Sequence, residues 1–192
     1  MIHLRPKDYR VMPWKDGGGV TTEIAIEPTG ASVADAFAWR PSSARVEASG
    51  PFSRFPGSRR DLVLLEGAGF ELSAGGRTLA LRDFMAPVRF SGDEDAHATL
   101  FEGTSIDLGL IWDPKRVRAE VSPHWIGKDP LQVAPAPTTL LVAPWGEVLV
   151  GTQGPELGAM DTLRIDGTIP CPTVRAAGDA APLVVVRVWP IT

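Results

Sequence analysis

The clearest indication of the fold class is the segment Trp39-Arg40-Pro41-Ser42-Ser43-Ala44-Arg45-Val46-Glu47. Side chains of a β-strand alternate between two faces, so every second position from Arg40 to Val46 shares one face. That face changes from charged, through small, to apolar. Such a gradient is typical of a strand that lines a barrel, polar at the mouth and apolar at depth. The segment predicts a barrel strand with Arg40 at the mouth of a cavity; the alternative is a surface arginine at the start of a strand.

The rest of the chain follows the same pattern of strands and turns. Its 192 residues include 20 glycines and 18 prolines, which favours many tight turns. Helical periodicity is almost absent, with one weak candidate helix at Ala31–Phe37. Regularly spaced short strands predict an all-β sandwich or barrel. The predicted strands are Val20–Ile26, Ala38–Val46, Leu62–Leu65, Phe70–Leu72, Thr78–Leu81, Val88–Phe90, Ala98–Phe101, Ile106–Trp112, Val117–Val121, Thr139–Val142, Glu147–Thr152, Thr162–Ile165 and Leu183–Trp189.

A proline-rich segment, Pro123 to Pro137, separates two halves of this pattern. Proline cannot donate a backbone hydrogen bond to a sheet, so a central strand is disfavoured there. We interpret the segment as a crossing between a first barrel at residues 1–122 and a second barrel at residues 123–192. A long surface loop is the alternative.

Charge and cysteine content exclude several classes of function. The formal net charge is −4, whereas a nucleic-acid-binding protein needs clustered Lys and Arg. The one cysteine, Cys171, cannot form an internal disulfide. The amino-terminal residues lack the apolar run of a secretory signal, and no run approaches the length of a membrane span. We expect a cytoplasmic protein that binds neither nucleic acid nor membrane.

The sequence lacks the residue patterns of a metal site or a cofactor site. Zinc, iron and manganese sites require several His, Cys or acidic ligands at converging positions. The chain has three histidines, His3, His97 and His124, and none stands at the spacing of a metal motif. Gly-x-Ser-x-Gly and Walker A sequences are absent as well. The sequence therefore predicts a site without a metal or cofactor.

The segment Met12–Ile24 carries the next candidate residues. Trp14 and Lys15 precede a triple glycine and then a strand. On that strand Thr21 and Glu23 share one face, which looks either to solvent or into a polar cavity.

An aromatic turn precedes a fully apolar strand in the segment Gly50–Gly67. Two phenylalanines and two prolines make this turn rigid, and the run Leu62–Leu65 predicts a strand buried on both faces. Arg60 lies just before the run, where its guanidinium can form a bidentate pair with a carboxylate. That carboxylate belongs either to a ligand or to the protein, as Asp61, Glu66 or Asp107.

In order and spacing, these segments resemble the HutD/Ves family. The family pattern has Trp, a basic residue and Asn before a small-residue turn. It continues with Thr-x-Glu-Ile, Trp-Arg-x-Ser-x-Ala-x-Val, Phe-Ser-x-Phe-Pro-Gly-x-x-Arg and an Asp-Phe-Asn-like strand. The matching residues here are Trp14–Asp16, Thr21–Ile24, Trp39–Val46, Phe52–Arg60 and Asp107–Gly109.

The resemblance implies a bicupin, that is, an all-β fold of two double-stranded β-helix (jelly-roll) barrels without the metal-binding histidines of other cupins. It also implies a link to histidine utilisation or stress response, in small-molecule binding or regulation without established catalysis. The implied ligand is a small carboxylate or a formylated or formiminated amino acid. Asp16 and Gly109 replace asparagines of the family pattern and Asp113 replaces an arginine, which suggests a different ligand or role.

We expect the first barrel to bind a small anionic metabolite between apolar walls and a few convergent polar groups. Cations would attract the ligand, hydroxyls would donate hydrogen bonds, tryptophans would form walls, and acids would orient the cations or bind an amine. The candidate ligand-binding residues are Trp14, Lys15, Asp16, Thr21, Glu23, Trp39, Arg40, Ser42, Arg60 and Asp107.

Two other classes of function stay open on the sequence alone. One is a metal-free isomerase or hydrolase with Glu23 or Asp107 as general base. The other is an interaction protein whose sheet edge or aromatic turn binds a partner, including a second copy in a homodimer.

Overall fold

β-Strands dominate the computed structural model, which describes residues 1–167 and 171–192. Those ranges contain one 3-10 helix, at Pro6–Asp8, and no α-helix, so they hold no helix that is long and apolar enough to cross a bilayer. The strands are β1 Ile2–Leu4, β2 Arg10–Pro13, β3 Gly19–Glu23, β4 Trp39–Val46, β5 Gly50–Phe52, β6 Arg59–Glu66, β7 Phe70–Ala74, β8 Arg77–Leu81, β9 Val88–Ser91, β10 Ala96–Leu100, β11 Ser105–Trp112, β12 Val117–Ile126, β13 Leu131–Gln132, β14 Thr138–Val142, β15 Val148–Val150, β16 Glu156–Leu157, β17 Thr162–Asp166, β18 Thr173–Ala176 and β19 Ala181–Pro190. The prediction of an all-β protein is confirmed, and each predicted strand overlaps an observed one.

The helix predicted at Ala31–Phe37 is wrong, because polar groups close a turn there. Ser32 N donates a hydrogen bond to Asp35 Oδ2 at 2.7 Å, and Asp35 N donates to Ser32 O at 2.9 Å. Side-chain bonds of this kind offer the backbone an alternative to helical bonding. The segment is therefore part of the loop between β3 and β4.

Two compact units divide the chain. Tyr9–Val117 forms one unit, and Met1–Asp8 with Arg118–Thr192 forms the other. The amino-terminal strand β1 belongs with the carboxyl-terminal strands because it pairs with β17. The boundary expected after residue 122 falls inside β12. This strand accommodates Pro123 because it lies at the edge of its sheet, where a missing backbone donor is tolerated.

The Tyr9–Val117 unit consists of two antiparallel sheets that share one core. The six-stranded sheet has the order β2-β3-β4-β11-β6-β9, and the four-stranded sheet has the order β5-β10-β7-β8. Val46 and Phe90 from the first sheet pack in one cluster with Phe70 and Leu72 from the second. The run Leu62–Leu65 in β6 is buried throughout, which confirms the prediction made for it.

The other unit has the same two-sheet construction. Its sheets have the orders β1-β17-β14-β19-β12 and β13-β18-β15-β16. Leu141 and Leu183 from the first sheet share a core cluster with Val148 and Val174 from the second. As far as the structure describes the chain, the strand orders of both units are linear and no sheet closes on itself.

Strand β11 determines which side chains of the first unit meet. It lies between β4 and β6, and its Ile111 stands opposite Arg40 on one side and Arg60 on the other. Residues directly opposite each other in an antiparallel pair project from the same face. Two arginines that are distant in sequence are therefore brought to one face of the sheet.

Gly92 ties the aromatic turn, residues 51–58, to the connection between β9 and β10. Gly92 N donates to Ser58 O at 2.9 Å, and Phe55 N donates to Gly92 O at 2.9 Å. A Cβ at position 92 would overlap Ser58 Oγ and Phe55 O. The turn can approach this closely only because position 92 has no side chain.

We expect Gly92→Ala to lower the free energy of unfolding by about 2 kcal/mol, as overpacking commonly does. Gly50→Ala is the matched control, because no atom lies within 4 Å of the added Cβ. It should stay within about 1 kcal/mol of the wild type. Urea unfolding followed by tryptophan fluorescence measures both variants, and equal stabilities would contradict the close approach described here.

Candidate functional site

A cavity of about 510 Å³ lies within the Tyr9–Val117 unit. Its volume falls in the range of small-molecule pockets. Strands of the six-stranded sheet supply most of its polar wall, and the aromatic turn supplies Phe52 and Phe55. The charged and hydroxyl-bearing lining residues are Lys15, Asp16, Thr21, Arg40, Ser42, Ser53, Arg60 and Asp107.

Two of the candidate residues, Glu23 and Trp39, are not part of the cavity lining, whereas the other eight are. Trp39 is one position from Arg40 on β4 and therefore projects from the opposite face of the strand. Its exposed fraction is 3%, so it is packed in the protein interior. Glu23 instead contacts Arg40.

Glu23 and Arg40 form a buried ion pair. Arg40 Nε donates to Glu23 Oε2 at 2.6 Å, and the side chains are 8% and 4% exposed. A buried charge needs such a partner, because removal from water costs several kcal/mol per ion. Arg40 thus lines the cavity as a buried wall residue with a neutralised charge, and it does not stand at an exposed mouth.

Arg60 is held in a cage of three phenylalanine rings. Its Cζ lies 5.0, 5.4 and 4.9 Å from the ring centroids of Phe52, Phe55 and Phe90. Its Nη1 donates to Ser53 O at 3.0 Å, but its buried Nε has no hydrogen-bond partner. Burial lowers the pKa of Arg60 to about 10, although Asp107 raises it; Arg40 lowers it further. The guanidinium is therefore held in place with its buried Nε donor unused.

Asp107 is the acid that interacts electrostatically with Arg60. It is 1% exposed, and its Oδ2 is buried without a hydrogen-bond partner. Burial raises the pKa of Asp107 to about 7, and Arg60 opposes that rise. Asp61, another acid considered for Arg60, instead accepts hydrogen bonds from Arg89 Nε at 2.6 Å and Trp112 Nε1 at 2.8 Å.

A tight turn between β2 and β3 places Trp14 at the cavity. Trp14 Nε1 donates to Thr21 Oγ1 at 2.8 Å, and the indole packs edge-on against Phe52. Asp16 Oδ1 accepts a hydrogen bond from Gly18 N at 3.0 Å, so this carboxylate is used in closing the turn. A side chain at Gly19 would collide with Arg45 O and crowd the Trp14 ring, which explains the glycine there.

Several lining residues were not among the candidates from sequence. Phe52 and Phe55 belong to the aromatic turn, and its unusual composition could have indicated that these rings line the cavity. Val33 comes from the loop between β3 and β4, and no local pattern indicates the path of that loop. Gly109 exposes backbone in the middle of β11, where a Cβ would lie 3.2 Å from Leu62 Cδ2.

The HutD family model matches residues 6–182 of this chain. The chain belongs to the HutD family. It is 39% identical over 170 residues to a 21.2 kDa protein in the hutC 3' region of Pseudomonas putida, which covers 85% of this chain and 86% of that protein. It is also 37% identical over 118 residues to the protein Ves of Citrobacter koseri, covering 59% of this chain and 60% of Ves.

Two solved structures resemble this HutD-family chain along nearly its whole length. A conserved protein of unknown function from Pseudomonas aeruginosa PAO1 has a TM-score of 0.87 and 36% identity, and 97% of each chain is covered. HutD from Pseudomonas fluorescens SBW25, in a formate condition, has a TM-score of 0.83 and 30% identity, covering 100% of this chain and 99% of that one.

Structures of low identity show that the fold is cupin-like. A cupin 2 conserved barrel domain protein from Leptotrichia buccalis has a TM-score of 0.55 at 10% identity, covering 92% of each chain. The pirin YhhW of Escherichia coli has a TM-score of 0.67 at 12% identity, covering 97% and 98%, and its structure contains nickel(II). In the described ranges of this chain, no group of three or more His, Cys, Asp or Glu could hold a metal ion.

The raised pKa of Asp107 predicts a pH-dependent stability. The native state retains a proton that the unfolded chain releases at lower pH, so the stabilisation is complete at acidic pH and is lost as pH rises through about 7. We expect Asp107→Asn to remove this loss between about pH 4 and pH 7, with an effect of a few kcal/mol, since one pKa unit corresponds to about 1.4 kcal/mol.

Urea unfolding at several pH values measures this dependence. Glu66→Gln, at the exposed end of β6, is the matched control and should follow the wild-type profile. A wild-type stability that runs parallel to that of Asp107→Asn across the range would show that Asp107 ionises normally.

Proposed function

We propose that this protein binds a small carboxylate in the cavity of the Tyr9–Val117 unit and acts as a binding or regulatory protein in histidine utilisation. The observation that carries the proposal is the unused buried donor, Arg60 Nε. A buried polar group without a partner costs about 1–3 kcal/mol. A ligand oxygen at this position would remove that cost.

The charges around the cavity support an anionic ligand. Glu23 already neutralises Arg40, whereas no hydrogen bond or ion pair joins Arg60 to a carboxylate of any described residue. The aromatic cage holds the Arg60 guanidinium in place before a ligand arrives, which reduces the entropy lost on binding. Arginine is suited to this task because its planar fork matches the two oxygens of a carboxylate.

The dimensions of the cavity favour a ligand with a body beyond its carboxylate. About 510 Å³ exceeds the space of a one-carbon acid, and Trp14 and Phe52 offer apolar surface beside the cations. A formylated or formiminated amino acid has the expected combination of a carboxylate and a larger body. The family relationship supports a place in histidine utilisation, since the matching family model is HutD and one relative is a protein in the hutC 3' region.

We also infer that each unit represents one jelly-roll barrel of a bicupin. Two antiparallel sheets with a common core in each unit support this arrangement, as does the likeness to a cupin 2 conserved barrel domain protein.

A metal-free isomerase or hydrolase is the second candidate function, and the free oxygen of Asp107 favours it. Glu23 accepts a short hydrogen bond from Arg40, so Asp107 is the better general base of the two. Turnover of histidine-pathway metabolites that is lost in Asp107→Asn would support catalysis. Unaltered metabolites after incubation with the wild type would exclude it for those compounds.

The binding proposal is best tested at Arg60, because removing Arg40 would leave Glu23 as an unpaired buried charge and destabilise the fold. We expect Arg60→Met, which retains an apolar side chain inside the aromatic cage, to weaken carboxylate binding about 10-fold or more. Isothermal titration calorimetry with formate and acetate measures the affinity.

Arg45→Met is the matched control on the opposite face of β4, where Arg45 is 54% exposed and pairs with Glu47. It should bind like the wild type. Equal affinities of Arg60→Met and Arg45→Met would refute the proposed site.

A further inference from the structure

We propose that Asp107 takes part in the carboxylate site as a neutral acid: it holds a proton and donates a hydrogen bond to the ligand, so that one proton binds with each carboxylate. The inference rests on the proposed function and adds a requirement that carboxylate binding alone does not impose. Asp107 then selects for a ligand group that both accepts a hydrogen bond from an acid and pairs with Arg60.

The position of Asp107 disfavours its ionised form. On β11 it stands opposite Ala44 of β4 and Leu64 of β6, so its lateral neighbours in the sheet are apolar. Its Oδ2 is buried and receives no hydrogen bond from any described residue. An ionised carboxylate without donors is costly to bury, whereas a protonated one needs only an acceptor.

The charged groups on every neighbouring element lead to the same conclusion. Arg60 of β6 is the cation that acts on Asp107, and its own free donor is Nε. Arg40 of β4 is neutralised by Glu23 of β3. Lys15 and Asp16, adjacent residues of opposite charge, line the cavity from the exposed turn between β2 and β3.

A bound carboxylate changes this balance. With Asp107 ionised, two carboxylates would share Arg60 in a buried site, and like charges in such a site strongly raise the pKa of one of them. With Asp107 protonated, its O–H can donate to one ligand oxygen while Arg60 Nε donates to the ligand carboxylate. Both buried atoms that lack partners are then satisfied, because the acid contributes a donor and the ligand contributes acceptors.

The acid–base properties of the cavity agree with this assignment. Burial already raises the pKa of Asp107 to about 7 in the absence of ligand, despite the opposing effect of Arg60. No histidine or cysteine is among the residues that line the cavity. Proton uptake on binding can therefore be attributed to Asp107 when it is observed near neutral pH.

The test uses the whole chain with formate and acetate as ligands, at about pH 6 and about pH 8.5. Above the pKa of the free site, binding coupled to one proton should weaken about 10-fold per pH unit. Calorimetry in two buffers of different ionisation enthalpy should report uptake of close to one proton at the higher pH. Asp107→Asn, whose amide donates without a proton exchange, should bind about equally at both pH values, and Glu66→Gln should retain the wild-type dependence.

Titration of the carboxyl carbon of Asp107 by ¹³C NMR provides a second measurement that needs no variant. We expect its pKa to rise further when formate is added. Carboxylate binding with the same affinity at both pH values and no proton uptake would overturn the inference and leave the proposed function standing. Failure of the wild type to bind either carboxylate at any pH would overturn both.

Discussion

The antiparallel register of β11 between β4 and β6 is the constraint on which the cavity depends. It places Ile111 opposite both Arg40 and Arg60 and directs Asp107 and Gly109 to the same face of the sheet. A shift of β11 by one residue would turn Ile111 and Asp107 to the other face, away from Arg40 and Arg60. The buried apolar run of β6 opposes such a shift, because its alternate side chains already occupy the core of the unit.

Two arginines at this face have very different surroundings. Arg40 has a dedicated carboxylate in Glu23 at 2.6 Å and contributes a neutral, rigid wall. Arg60 is surrounded by phenylalanine rings and retains a free Nε, close enough to Asp107 for each to shift the pKa of the other. Arg40 and Glu23 thus satisfy each other, whereas Arg60 and Asp107 retain a buried donor and a buried carboxyl oxygen without hydrogen-bond partners.

The cupin-like fold by itself does not account for this chemistry, because unrelated functions are built on one fold. At 12% identity, the nickel-containing pirin shares the fold with this HutD-family chain. Here a polar wall of arginine, aspartate and hydroxyl groups faces the aromatic turn. Gly92 and Asp93 hold that turn, the latter by accepting a hydrogen bond from Gly57 N at 2.8 Å. The chemistry of the cavity is therefore set by a few side chains and by the loops that orient them.

Local sequence was sufficient for the all-β class, for most strands and for the face that carries Arg40 and Ser42. Strand alternation and turn composition are local properties, so they can be read without knowing any long-range contact. Short strands such as β1 and β5 escaped detection, because their pairing partners are distant in sequence and their own patterns are weak. Strand order alone decided which acid meets which arginine: Asp61 adjoins Arg60 in sequence but projects from the other face, whereas Asp107 reaches the cavity from β11. Tertiary structure also left Arg60 Nε and Asp107 Oδ2 without partners, since burial and hydrogen bonding depend on all the elements that surround an atom.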